Sequence, residues 1–231
     1  MAILAHETVE FTANGGTASG YLTKPVDGGP YPGVVVIQEW WGLNPNICDI
    51  ANRIAAEGYV ALAPDLFHGS VTAEPDEAQK LMMTLQEPNA LVDMSGAVTA
   101  LQARDDVRSD RIGVTGFCLG GGMSLLLAMN NPAVTAAAPF YGVPGAGMGD
   151  AGQIQGAVMG FFAGRDEWIN AEVVEGIQSA LDGAGVRNEI HMYPDSDHGF
   201  FNDTSPDVHD PEAAADAWDR LKAFFAAELQ S

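Results

Sequence analysis

The sequence predicts an α/β fold, one domain built on a mostly parallel sheet with helices on both faces and entered through an N-terminal hairpin. Three observations carry that prediction. Continuous apolar runs such as "GVVVIQ" at Gly33–Gln38 read as strands buried on both faces. Segments with apolar residues at helical spacing alternate with these runs, as repeated βα units with right-handed crossovers do. The 231 residues are 47% hydrophobic and 18% charged, enough apolar surface for a sizeable core, and no linker composition divides them.

The elements follow in order. His6–Thr12 alternates, Asn14, Gly15 and Gly16 are turn residues, and Ala18–Thr23 returns as the second strand of a hairpin. After the strand at Gly33–Gln38, Ile47, Ile50, Ile54 and Ala55 recur at helical spacing, and Gly58 supplies a stop before a short strand at Val60–Ala63. Asp76–Leu85 and Ala90–Ala103 read as helices, Ile112–Thr115 as a strand and Gly121–Met129 as a small-residue helix. Val134–Phe140 is a strand, Pro144–Gln153 a loop, Val158–Phe162 a strand, Glu172–Leu181 a helix and Glu189–Tyr193 the last strand. The closing helix, Pro211–Leu229, places Ala214, Trp218, Leu221 and Phe225 on one face, which predicts packing against the sheet.

Charge excludes some partners. With 31 acidic and 10 basic residues, a formal net charge of −21 repels phosphate backbones and anionic lipids, so neither nucleic acid nor membrane is an expected partner. The N-terminus lacks a basic region followed by a long apolar run, and no stretch of eighteen apolar residues occurs, so a cytoplasmic location is the default expectation; a monomer is the separate default for oligomeric state. Cys48 and Cys118 make no disulfide framework, and no zinc-type spacing is present. Free thiols and no metal or organic cofactor are expected.

The chemistry centres on "GFCLG" at Gly116–Gly120. Gly-x-Cys-x-Gly between a strand and a helix has the form of a nucleophile elbow, with cysteine where serine is commoner. The turn is so tight that the residues two before and two after the nucleophile must lack bulk. Cys118 would open a helix, where unpaired backbone N–H groups favour an anion and the Leu119 N–H can donate to a developing oxyanion. Alone, the motif is weak in a chain with 27 glycines. Its partners strengthen it: Asp166 follows "VMGFF" and His198 follows the last strand, so nucleophile, acid and base run in the chain order Cys118, Asp166, His198. Glu167, Asp195 and Asp197 remain alternative orienters of the histidine. Glu39 ends the first buried strand at the same carboxyl edge, followed by Trp40, whose N–H is a second candidate oxyanion donor, and by Trp41, which with Phe200 is a candidate pocket wall.

"QEWWGLNPNICDIANRIAAEGYVALAPDLF", "GFCLGGG", "AGRDEWIN" and "DHGFF" resemble the dienelactone hydrolase (carboxymethylenebutenolidase) family of the α/β-hydrolase superfamily, over nearly the whole chain. The resemblance implies a single α/β-hydrolase domain with Cys118 as nucleophile, His198 as base and Asp166 as its orienter. It further implies that Glu39 holds the resting cysteine and helps it become a thiolate. The implied reaction is hydrolysis of an ester or lactone through an acyl-cysteine intermediate, as in the opening of dienelactone to maleylacetate. Family members that bind the dienelactone carboxylate do so with arginines. Here the segment after His198 offers Asn202, and "TAEPDEAQKLMMTL" offers only Lys80, a point charge without a bidentate fork. Two other readings stand beside this one: a broad small-ester or thioester hydrolase, and a non-catalytic protein whose helix-start cysteine senses oxidation.

Overall fold

A computed structural model describes residues 2–13, 16–145 and 149–231. The predicted turn residues Asn14 and Gly15 and the middle of the Pro144–Gln153 loop lie outside them. The chain groups into two compact units, Met1–Val114 and Thr115–Ser231. The division falls inside a strand and not in a linker.

In the first unit, β1 (Leu4–Ala13) and β2 (Gly16–Pro25) form the predicted hairpin, antiparallel from Leu4 opposite Pro25 to Ala13 opposite Gly16. β2 then pairs antiparallel with β4 (Val60–Pro64), and β3 (Tyr31–Ile37) pairs parallel with β4, Gly33 opposite Val60. The strand order is β1-β2-β4-β3-β5, with β5 at Val107–Phe117. Val34, Val35, Val36 and Ile37 have no exposed surface, as a strand covered on both faces requires.

Three helices belong to this unit: α1 (Pro45–Ala56), α2 (Pro75–Thr84) and α3 (Glu87–Gln102). Asn44 caps α1 by accepting the Ile47 N–H at 3.1 Å, Pro45 follows as the first helical residue, and Gly58 at φ +93° turns the chain into β4. α2 buries only Ala78 among its ten residues, so its anchorage is slight.

The second unit begins with the last residues of β5 and continues through α4 (Leu119–Asn130), β6 (Val134–Phe140), β7 (Ala157–Ala163), α5 (Ala171–Gly183), β8 (Asn188–Tyr193) and α6 (Pro211–Phe225). Its order is β5-β6-β7-β8, with β6, β7 and β8 parallel. α4 is buried from Gly120 to Met129, hence its apolar composition all round. α6 buries Leu221 and Phe225 and ends in a π-type turn at Ala226–Gln230.

Several boundaries differ from the sequence reading, among them the start of α3 at Glu87 in place of Ala90 and the end of α6 at Phe225 in place of Leu229. β5 starts at Val107, five residues before the apolar run at Ile112, because Ser109 and Asp110 are exposed and carry no apolar signal. Within the loop before β7, Ala151–Gln153 makes one 3₁₀ turn, capped by Asp150 accepting the Gly152 N–H at 2.9 Å.

The Asn44 cap gives a direct check on the α1 boundary. Asn44→Ala is expected to lower stability by about 1 kcal/mol, read as a shift of the urea midpoint at unchanged slope.

Candidate active site

The elbow is a strained turn. Cys118 sits at φ +56°, ψ −116°, a region that a residue with a β-carbon rarely occupies. Its N–H donates to the Phe140 carbonyl at 3.1 Å, and its own carbonyl accepts from Gly121 at 2.9 Å and Gly122 at 3.3 Å. Backbone crowding explains the glycines that follow. A β-carbon on Gly121 would lie 2.4 Å from the Phe140 oxygen, and one on Gly142 would lie 2.0 Å from the Cys118 oxygen. Sequence reasoning placed the steric demand at Gly116 and Gly120 and missed Gly142, which stands just beyond β6 in "FYG". The N–H groups of Leu119 and Gly120 open α4 ahead of its first intrahelical bonds.

Asp166 follows β7 and is buried, its side chain without exposed surface. One carboxylate oxygen lies 2.5 Å from His198 Nδ1, and the other accepts the N–H groups of Trp168 and Ile169, each at 2.9 Å. Burial acts to raise the pKa of Asp166, but the His198 contact and the two N–H donors outweigh it and hold the carboxyl below its usual range.

His198 comes from the loop after β8, and that loop is pinned. Ser196 donates to Asp210 at 2.7 Å, the Arg165 N–H donates to the Ser196 carbonyl at 3.0 Å, and Asp210 caps α6 by accepting from Glu212 and Ala213. The imidazole lies edge-on between Tyr141 and Trp168, with ring centroids 5.2 and 5.3 Å away. Burial works to lower its pKa, yet Asp166 and the Cys118 sulfur together raise it to about 10. Nε2 is buried, and the Cys118 sulfur acts on the ring through hydrogen bonding and through charge.

The alternative orienters are eliminated by position. Asp195 is exposed and paired with Arg165 at 3.1 Å, and Glu167 and Asp197 face solvent. Glu39, in the first unit, is buried just beyond β3 at 4% exposure. The half-buried Trp40 and Trp41 pack edge to face at 4.9 Å.

Two candidate substrate contacts need correction. Lys80 stands on the outer face of α2, 67% exposed and paired with Glu77 at 2.5 Å, because α2 turns only Ala78 fully inward. Phe200 is wholly buried against Tyr141 and Tyr193, so it packs the core and presents no surface to a ligand. Trp168, 72% exposed beside His198, is the aromatic that the sequence reading passed over, although "DEWIN" places it two residues from Asp166.

A strand–turn–helix elbow on a mostly parallel sheet, with Asp166 and His198 in loops at carboxyl ends of strands, defines an α/β hydrolase. The chain belongs to the dienelactone hydrolase family, whose model matches residues 18–229. It is 38% identical over 226 residues to "Protein usf" of Aquifex pyrophilus, covering 95% of this chain and 97% of that protein. It is also 38% identical over 229 residues to a Synechocystis protein named "Putative carboxymethylenebutenolidase", covering 92% of each chain. A crystal structure from Klebsiella pneumoniae, named "Putative Dienelactone Hydrolase", superposes with a TM-score of 0.87 at 29% identity, covering 97% of this chain and 99% of that one. The protein is a carboxylic-ester hydrolase of dienelactone hydrolase type. Among the described residues, no helix is long and apolar enough to cross a membrane.

Asp166→Asn should lower the imidazole pKa of His198 by about one to three pH units, read by NMR titration. In the unaltered chain the folded value of about 10 lies above the ordinary 6.5, so the contribution of His198 to stability is complete below pH 6.5 and is lost as pH rises through about 10. Gly142→Ala should lower stability by about 1–3 kcal/mol, because its methyl group meets backbone that cannot give way; an unchanged thermal midpoint would contradict the close approach.

Proposed function

We propose that the chain hydrolyses neutral esters or lactones through an acyl-cysteine intermediate, with Cys118 as nucleophile, His198 as proton carrier and Asp166 as orienter. The observation that carries the reading is the Asp166–His198 contact of 2.5 Å beside a cysteine held at φ +56° on the elbow. Asp166 first and the Cys118 sulfur second raise the pKa of His198, so the imidazole holds a proton to give to a leaving group, and the thiolate is the reactive form of cysteine.

The steps balance as follows. The Cys118 sulfur adds to the carbonyl carbon, and the oxyanion is met by the Leu119 N–H at the start of α4. The C–O bond breaks and the leaving alkoxide takes the proton on His198 Nε2; in a lactone it stays tethered as a hydroxyl. His198, now neutral, accepts a proton from water as that water attacks the thioester, and the thiolate leaves with the carboxylic acid formed. Asp166 keeps Nδ1 protonated throughout and stays ionised. Glu39 and the Trp40 N–H belong to the first unit; the role of Glu39 as partner of the resting cysteine rests on the family resemblance, and that of the Trp40 N–H as second oxyanion donor on its place after β3 in the sequence.

A neutral substrate is favoured over a carboxylate-bearing one by the absence of the arginine expected after His198. Asn202 does not replace it, since it is buried and its Oδ1 accepts from both the N–H and the hydroxyl of Thr204. Lys80 is held by Glu77.

Hydrolysis of a neutral aryl ester and of dienelactone, measured side by side, tests the proposal. The neutral ester is expected to be cleaved with the higher kcat/KM, and Cys118→Ala to lose about 10³-fold or more in kcat with its urea midpoint retained. Full activity in Cys118→Ala would sink the mechanism. A strong preference for dienelactone would keep the mechanism and overturn the substrate class.

A further inference from the structure

Apart from the elbow, the first unit holds a cavity of about 320 Å³ between the turn after β4 and the α2–α3 pair. Its walls are apolar at Leu66, Phe67, Leu81 and Leu85, and its polar lining includes Asp93 and His68 beside hydroxyl and amide side chains such as Ser70 and Asn89. The volume is at the small end of organic ligand pockets, the size for a single ring with a short side group.

Asp93 is the unusual member. It lies on the inward face of α3 with Ala90, Met94 and Ala97, and its side chain is 5% exposed. Among the described residues its one partner is His68 Nε2, at 3.3 Å. A carboxylate can accept about four hydrogen bonds, and a buried one that lacks them is costly. The cavity supplies the space in which further donors would reach it.

The turn that presents His68 is constructed for that position. His68 adopts φ +50°, a strained value for a residue with a β-carbon, and Gly69 follows at φ +96°. Asp65 holds the turn from inside, one oxygen accepting the Phe67 N–H at 3.1 Å and the other the Gly69 N–H at 2.5 Å. Gln38 fixes its start by accepting the Leu66 N–H at 3.2 Å. The histidine is 60% exposed, so the strain is not repaid by burying its ring. It places one imidazole nitrogen at the mouth of the cavity, against the carboxylate.

We propose that this cavity binds a small organic cation, a protonated amine on an apolar body, with the ammonium group on Asp93 and the body against Leu66, Phe67, Leu81 and Leu85. No lysine or arginine lines the cavity, and its one acidic side chain, Asp93, opposes the entry of an anion. Lys80 is turned to Glu77, and Glu74, Asp76 and Glu87 on the neighbouring helix ends add negative field. A metal ion is a poor match, since no group of three ligating side chains occurs among the described residues.

Calorimetric titration of the whole chain with benzylamine, benzyl alcohol and benzoate tests the site without reference to hydrolysis. Benzylamine is expected to bind at one site about tenfold or more tighter than benzyl alcohol, with benzoate silent. Asp93→Asn, which keeps the shape and removes the charge, should weaken benzylamine about tenfold, and Leu85→Trp should block it by filling the cavity. Both variants are checked by circular dichroism for a retained fold. Equal binding of amine and alcohol, undiminished amine binding to folded Asp93→Asn, or no binding of any probe would overturn the proposal. Loss of ester hydrolysis in Cys118→Ala would leave all three readings unchanged, so this site and the elbow stand or fall separately.

Discussion

The site in the second unit depends on one steric constraint, the passage of the chain through Cys118 at φ +56° with its carbonyl oxygen pressed towards Gly142. Only a backbone without a β-carbon can stand there, and the same holds for Gly121 beside the Phe140 oxygen. Because Gly142 follows β6 and Cys118 follows β5, the end of one strand fixes the turn at the end of the next. The strain at Cys118 is sustained by hydrogen bonds on both of its peptide groups, to Phe140 on one side and from α4 on the other.

Aromatic packing under the elbow keeps that turn from relaxing. Phe117, immediately before Cys118, lies 4.7 Å from Phe140 and 5.3 Å from Phe201, and Phe140 stacks on Phe161 at 4.4 Å. Phe201 comes from the loop that bears His198, so one cluster joins the strand before the elbow to the histidine loop. The corrected place of Phe200 fits this: it sits against Tyr141 and Tyr193 as part of the same support. Rigid packing of the supporting layer is what lets a short His198–Asp166 contact persist at a partly solvated surface.

Much of this was legible in the sequence because the signals are local. Buried parallel strands declare themselves as β-branched runs, and the elbow as glycines around a reactive residue. Asp166 and His198 stand out in the sequence because each follows a strand pattern within a few residues, and the structure brings them to 2.5 Å. What escaped depends on contacts distant in sequence. Gly142 needs its crowding by Cys118, 24 residues away, to be seen as more than a loop glycine. Lys80 is a candidate because it is the one cation in a segment where the family resemblance implies an arginine, and that argument carries no helix phase to show that it turns outward. The first half of β5 carries polar residues at an exposed stretch, so its pairing cannot be read from hydrophobicity. Trp168 was passed over because an exposed tryptophan in a loop has no periodic signature.

Among the described residues two aspartate–histidine pairs occur, and comparing them shows how environment assigns different work to the same residues. Asp166 receives His198 and two backbone N–H groups, so its oxygens are satisfied and its pKa is held down despite burial. Asp93 receives only His68, at a longer distance, and burial prevails, pushing its pKa up. In the first pair the carboxylate is complete, and what it offers is orientation and charge for an imidazole that has a sulfur on its other side. In the second the carboxylate is incomplete and faces open volume, so what it offers is acceptor capacity. A completed carboxylate positions a neighbour, whereas an uncompleted one beside a cavity favours the arrival of a donor. The number of hydrogen bonds each aspartate already accepts, more than its identity or depth, is what separates the two.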